Sequence, residues 1–239
     1  MIVEFDCGNT AVKWRTADGA QRGGQPWAAL KAKAGFDFSG LGLPAGLTRA
    51  RLASVAGEAR TGALVNYLAC TPGIPVALAQ VVPGANGVSC GYAAPERLGI
   101  DRWLAVQAAL ALVPDARLLV VDVGSAVTLD VCEPGRHLGG FIGPGLQLMR
   151  TALYSGTHAV KVPDLPGTMP LAPGVDTQQA VSGALALMLS GLVHETARRF
   201  GPVDYYLFTG GAGGLLAREF TPSRLVPDLV LDGLALVLP

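Results

Sequence analysis

The chain repeats one pattern of apolar and polar positions. Residues 2–15 read Ile-Val-Glu-Phe-Asp-Cys-Gly-Asn-Thr-Ala-Val-Lys-Trp-Arg, and residues 118–131 read Leu-Leu-Val-Val-Asp-Val-Gly-Ser-Ala-Val-Thr-Leu-Asp-Val. Asp6 aligns with Asp122, Gly8 with Gly124 and Asn9 with Ser125. Each copy is an apolar, β-branched run, an Asp-x-Gly turn and a second run, the signature of a strand, a tight turn and a returning strand. The repeat predicts two related halves facing each other across a cleft, each lining it with an Asp-x-Gly turn. Glycine leaves no side chain in the way and exposes backbone N–H groups, which suits a phosphate chain. The aspartates suit the cation that travels with it.

The remaining periodicity predicts alternating strands and helices. Residues 2–6 and 11–17 form a hairpin, Asp18-Gly19 is a second hairpin turn, and 25–47 is too rich in Gly, Ala and Pro to assign. Residues 51–56 read as a strand, 61–70 as a helix, 75–82 as a strand and 84–99 as a loop. A helix over 101–112 has Asp101 as its N-cap. The second half restarts with strands at 118–122, 127–133 and 137–142, broken by Gly143-Pro144-Gly145 before a helix at 146–153. Residues 155–175 read as a proline-broken loop. Asp176 and Gln179 make a capping-box-like start for a long helix to about 200. A strand at 204–208 runs into Thr209-Gly210-Gly211-Ala212-Gly213-Gly214 and a helix; a short strand at 225–227 and a helical turn or two at 233–238 close the chain. The class is α/β, divided near residue 113 into domains 1–113 and 114–239.

Composition narrows the function. The 239 residues are 50% hydrophobic and 15% charged with zero formal net charge, so the chain has a substantial core and no basic block to attract nucleic acid or an anionic membrane. Acids at Glu4 and Asp6 stand where a signal peptide needs Lys or Arg, and the most apolar later run, 184–189, is too short to span a bilayer. Both point to a cytoplasmic protein. Cysteines 7, 70, 90 and 132 contain no C-x-x-C pair and no zinc-like spacing to His137, His158 or His194, and read as free thiols.

Three further segments carry candidate chemistry. In Asp6-x-Gly8-Asn9-Thr10-x-x-Lys13, an ordinary Asx turn is the plain alternative, weakened by the second copy. The functional reading sets Gly8, Asn9 and Thr10 against phosphate oxygens, Lys13 near the transferred group and Asp6 on Mg²⁺, through water. In Gly99-Ile100-Asp101-Arg102-Trp103, an arginine in the first helical turn opposes the helix dipole and makes sense if it grips an anionic substrate; Trp103 reads as core. The helix at 176–200 is apolar nearly all round, which marks a central core helix or an oligomer interface.

Together, D-C-G-N-T-A-V-K-W-R, G-I-D-R-W, D-V-G-S-A-V-T-L-D, G-G-F-I-G-P-G-L-Q-L-M and the late T-G-G resemble the type III pantothenate kinases, most closely the branch whose first motif continues into Lys-Trp-Arg. The resemblance implies an actin-like, duplicated ribonuclease H-like fold with nucleotide in the cleft between domains. It implies ATP-dependent phosphorylation of pantothenate, the first step of coenzyme A synthesis. Residues 6–13 (Asp6, Cys7, Gly8, Asn9, Thr10, Ala11, Val12, Lys13) and Ser125 would bind ATP. Asp101 would accept the proton, while Tyr92, Gly99, Ile100, Asp101, Arg102 and Thr177 would bind pantothenate. Asp122 would hold a monovalent cation, potassium or ammonium, and the protein would be a homodimer. Ser125 stands where the family usually has Thr, keeping the hydroxyl and losing the methyl. Two rivals are a kinase of another small hydroxylated acid or sugar, and a nucleotide-binding regulator like the Bvg accessory factors, which look like members of the same family.

Overall fold

The computed structural model describes residues 1–33, 35–162 and 172–238. It divides into two compact units, Met1–Ala111 with Leu229–Pro239, and Leu112–Asp228.

In the first unit, β1 (Ile2–Cys7) pairs antiparallel with β2 (Ala11–Thr16), and β2 with β3 (Arg22–Pro26). A two-strand hairpin, β4 (Lys31–Ala32) with β5 (Gly35–Phe36), follows. Then β6 (Arg49–Ser54) pairs parallel with β1, α1 (Glu58–Cys70) crosses over, and β7 (Val76–Leu78) pairs parallel with β6. The sheet order is β3-β2-β1-β6-β7. Residues 22–26 form a strand despite two glycines because Trp14 covers them: a Cβ at Gly23 would lie 2.8 Å from the indole nitrogen, and one at Gly24 2.8 Å from the Val12 carbonyl. Val3, Phe5 and Cys7 point into a core with Trp27, Leu52, Leu64 and Leu68. Helix α2 (Ile100–Leu112) completes the continuous part of the unit and buries nearly every residue, Trp103 among them.

The second unit repeats this plan. Strand β8 (Leu118–Val123) pairs antiparallel with β9 (Ala126–Glu133), and β9 with β10 (Arg136–Pro144). Helices α3 (Leu146–Gly156) and α4 (Thr177–Phe200) follow, then β11 (Tyr205–Thr209), α5 (Gly213–Ala217) and β12 (Ser223–Leu225). The order β10-β9-β8-β11-β12 matches the first sheet strand for strand, in direction as well as position. The fold is therefore the duplicated, actin-like α/β fold. Of the expected loop at 155–175, residues 163–171 lie outside the described residues. Asp176 caps α4 as expected: its Oδ1 accepts the Gln179 N–H at 2.8 Å and its Oδ2 accepts Gln179 Nε2 at 2.8 Å. By length and composition alone the whole of α4, longer than the run at 184–189, would suffice to cross a membrane. Here it is the central helix of the unit, with Leu185, Leu189 and Val193 in the core beside Leu119, Val121 and Leu129. Its opposite face leaves Leu187 and Met188 more than half exposed.

The last helix, α6 (Leu229–Val237), belongs to the first unit, whereas the division near residue 113 would give it to the second. Leu229, Val230, Leu231 and Leu234 are buried. Arg15 Nη1 donates to Asp232 Oδ1 at 2.7 Å, tying α6 to β2. Arg15 Nε also donates to Glu4 Oε2 at 2.8 Å, and Arg51 Nη1 to Glu4 Oε1 at 2.9 Å, so a fully buried carboxylate has a guanidinium on each side. Such charges are tolerable in the interior only when paired this closely. Gly233 lies directly on the Leu104 carbonyl of α2, leaving no room for a Cβ. Gly233→Ala is therefore expected to destabilise the protein by about 1–3 kcal/mol, lowering Tm by roughly 2–10 °C in thermal unfolding; an unchanged Tm would show that α6 does not pack this closely.

Candidate active site

Strand alternation decides which side chains of the first Asp-x-Gly turn can meet a ligand. Cys7 and Val12 are wholly buried in the core, so only their backbone is available, while Asn9, Thr10 and Lys13 are exposed. Burial keeps the Cys7 thiol protonated, with the Asp6 charge a lesser cause. Asp6 stands opposite Lys13 in the β1–β2 register. Gly8 does not have a left-handed φ, and a Cβ on it would lie 3.6 Å from the Ala11 carbonyl, an ordinary contact. Gly124 is the same, with nothing nearer than 3.5 Å. Neither glycine is required by a left-handed φ or by a close contact.

Asp6 also has Asp101 for a neighbour within the same unit. Burial pushes the Asp6 carboxyl up from 3.8 to about 6; Lys13 pulls it down, and the charge on Asp101 pushes it up again. Asp101 is not the cap of α2. The helix starts one residue earlier, and the Gly99 carbonyl takes its first bond, from the Trp103 N–H at 3.0 Å. Asp101 lies in the first turn with Oδ1 accepting the Arg102 N–H at 2.8 Å. A Cβ at Gly99 would fall 2.5 Å from that Oδ1, so glycine here leaves space for the carboxylate. Arg102 is buried and turned towards Tyr92, donating from Nη1 to the phenol oxygen at 2.6 Å with its guanidinium 5.5 Å from the ring centre. The cation that opposes the helix dipole thus holds an aromatic side chain. Ile100 is buried and serves packing.

In the second unit the turn after β8 is locked by its neighbours. Ala212 N–H donates to the Val123 carbonyl at 3.0 Å, Gly145 N–H to the Ser125 carbonyl at 3.0 Å, and Gly124 N–H to the Ala126 carbonyl at 2.9 Å. The motif glycines at 145 and 210 are there for close approach. A Cβ on Gly145 would strike the carbonyls of Gly124 and Ser125, and one on Gly210, whose φ is +81°, would strike the Asp122 carboxylate. Asp122, Ser125 and the Thr209-Gly210-Gly211 loop therefore come together in this unit. Thr177 is the first residue of α4, exposed, immediately after its capping Asp176.

Comparison with known proteins names this arrangement. The type III pantothenate kinase family profile matches residues 2–199. A type III pantothenate kinase of Ectopseudomonas mendocina (strain ymp) is 39% identical over 247 residues, covering 100% of this chain and 99% of its own. The chain belongs to the type III pantothenate kinase family. Among solved structures, a Baf family transcriptional activator protein from Campylobacter jejuni is similar at TM-score 0.64 and 21% identity, over 99% of this chain and 96% of its own. The PilM–PilN type IV pilus biogenesis complex contains a chain similar at TM-score 0.57 and 13% identity, over 100% of this chain and 99% of that one. Both likenesses are of fold alone.

The family's reaction uses ATP and a metal. Among the described residues no three His, Cys, Asp or Glu side chains form a metal cluster, so the first unit has no all-protein cage. The Asp6 carboxylate, which burial makes costly to ionise, suits a metal that arrives on phosphate and keeps most of its water. Asp6 would hold it, and it would neutralise charge on the phosphates.

Sequence reasoning missed the groups behind the first turn, Trp27 and Arg60. Trp27 falls in the segment with no readable pattern. Arg60 stands just before the helix read at 61–70; with α1 starting at Glu58 it is a cation in the first turn, the feature that singled out Arg102.

The raised carboxyl gives a test of the turn. A folded-state value above the unfolded one means that ionised Asp6 destabilises the fold above pH 6, and that the penalty fades as pH falls towards 4. Asp6→Asn should therefore melt roughly 2–6 °C above wild type at pH 7.5, with the gap closing by about pH 4. A gap independent of pH would remove the desolvated carboxylate as its cause.

Proposed function

We propose that this chain carries out its family's reaction, ATP-dependent phosphorylation of pantothenate, with the phosphates on the Asp6–Lys13 turn and Asp101 as the proton acceptor. The observation that carries the reading is the pair of glycines at 8 and 124, which no left-handed φ or close contact requires, in a chain that a member of the family matches over its whole length. Backbone amides at Gly8, Asn9 and Thr10 face phosphate oxygens, and Lys13 adds a point charge near the transferred group. The pantothenate hydroxyl oxygen attacks the γ-phosphorus, the bond to the ADP oxygen breaks, and the hydroxyl proton passes to the Asp101 carboxylate. Phosphoryl transfer asks mainly for positioning and neutralised charge, and the rigid turn and Lys13 supply both. Tyr92, held by Arg102, forms a wall of the pantothenate site with Gly99 and Ile100 behind it.

In the second unit Ser125 contacts ATP through its hydroxyl, and Asp122 holds potassium or ammonium, supported by a carboxylate packed among turn carbonyls. The exposed Leu187 and Met188 on α4 support a homodimer, with Thr177 at the pantothenate site. A cytoplasmic location accords with soluble substrates and a formal net charge of zero.

Two measurements test these roles. Asp101→Asn should lower kcat by about 10²–10⁴-fold while ATP binding stays near wild type; a fully active variant would remove Asp101 from the mechanism. With Mg²⁺ fixed, activity should be poor in sodium and restored by potassium or ammonium, and equal rates in all three would count against a cation at Asp122.

A further inference from the structure

We propose that Trp27 and Arg60 are positioning residues for the phosphate turn, holding its peptide planes so that the amides face the nucleotide. The inference rests on the reading above that the turn receives ATP phosphates, and adds two side chains that lie outside every motif.

All three carbonyls of the turn are engaged from behind. Trp27 Nε1–H donates to the Gly8 carbonyl at 2.8 Å, Arg60 Nη1 to the Asn9 carbonyl at 2.7 Å, and the Trp27 backbone N–H to the Thr10 carbonyl at 3.0 Å. A trans peptide is planar, with C=O and N–H pointing in opposite directions. Fixing the Gly8 carbonyl therefore fixes the Asn9 N–H, and fixing the Asn9 carbonyl fixes the Thr10 N–H, each away from the Trp27–Arg60 side. The two donors also brace each other. The guanidinium lies 5.5 Å from the centre of the indole, within cation–π range. The indole is 2% exposed, wedged edge-on against Phe36 and Phe38 at 5.7 and 6.4 Å between ring centres. Arg60 is exposed at its carbonyl bond and sits in the first turn of α1, where the helix dipole disfavours a cation. Its bond to Asn9 and its stacking on Trp27 are what place it there.

The second unit supplies an internal control. The carbonyl of Ser125, the counterpart of Asn9, is held by a backbone N–H, that of Gly145. In the turn that carries Lys13 the Gly8 and Asn9 carbonyls are held by side chains, which can be removed one at a time without cutting the backbone.

The experiment measures ATP affinity by calorimetry, together with steady-state KM and kcat, for wild type, Arg60→Met, Arg60→Lys and Trp27→Phe. Arg60→Met should weaken ATP binding and raise its KM about tenfold, as expected for the loss of a charge-assisted hydrogen bond. The pantothenate KM should stay within about twofold and Arg60→Lys, which keeps a donor, should recover most of the loss. Trp27→Phe keeps an aromatic ring, smaller than the indole, and removes the N–H without changing charge, and should move ATP affinity in the same direction. Arg60→Met with wild-type ATP affinity would overturn the proposal. So would weakened binding in Arg60→Met with none in Trp27→Phe, which would make Arg60 a simple charge on the nucleotide. Calorimetry needs no acceptor. If pantothenate is the wrong substrate, wild type binds ATP without turnover, and the ratio of variant to wild-type affinities still decides the roles of Trp27 and Arg60.

Discussion

The two-residue period of β1 is the constraint on which the first unit depends. Val3, Phe5 and Cys7 face the core, which commits Glu4 and Asp6 to the other face of the strand. The two carboxylates then meet opposite fates. Glu4, in the middle of the sheet, is shut away from water and bracketed by Arg15 on β2 and Arg51 on β6, its cross-strand partners. Asp6, two residues on, reaches the end of the strand, where the chain must turn. It keeps partial access to solvent, and its neighbours are Lys13 and Asp101. A single strand thus builds a neutralised ion cluster that anchors the C-terminal helix and, 6–7 Å further along, presents a carboxylate that is poorly solvated and only partly balanced. A register slip of one residue would bury Asp6 and turn Phe5 out.

Much of this was legible because the chain states it twice. The Asp-x-Gly repeat led to the two matching sheets, and the Asp176–Gln179 box marked the start of α4 within a residue. The features that escaped are those whose cause lies elsewhere in the chain. Strand β3 has almost no strand propensity and exists because Trp14 lies over Gly23. Helix α6 looks like a tail until Arg15, more than two hundred positions earlier, supplies the partner for Asp232. Asp101 read as a helix cap because aspartate is a good one, but Gly99 takes that place and leaves the carboxylate inside the first turn, beside Asp6. Trp27 and Arg60 stayed hidden because their role is to donate to backbone carbonyls, and a carbonyl leaves no trace in sequence.

The two copies of the turn have diverged in how they are held. In both, a carbonyl at the strand end is capped by the chain leaving the fourth strand of the sheet: Cys7 by Val55 at 2.9 Å, Val123 by Ala212 at 3.0 Å. Beyond that point the second turn is braced by backbone packed through glycines at 145 and 210, and the first by aromatic and guanidinium side chains. A backbone brace is stiff and cannot be altered without moving the main chain. Side-chain braces can be adjusted by substitution.

The return of α6 to the first unit has a consequence for biosynthesis. Ribosomal synthesis delivers the second unit as one uninterrupted length, residues 112–228, ready to collapse as soon as it emerges. The first unit is made of residues 1–111 and the helix that follows residue 228. Until that helix emerges, Arg15 lacks Asp232, and the backbone around Leu104 lacks its cover. The N-terminal half of the repeat, first to be translated, is the last to be finished, and throughout that interval its five-stranded sheet lacks the helix that packs against β1 and β6.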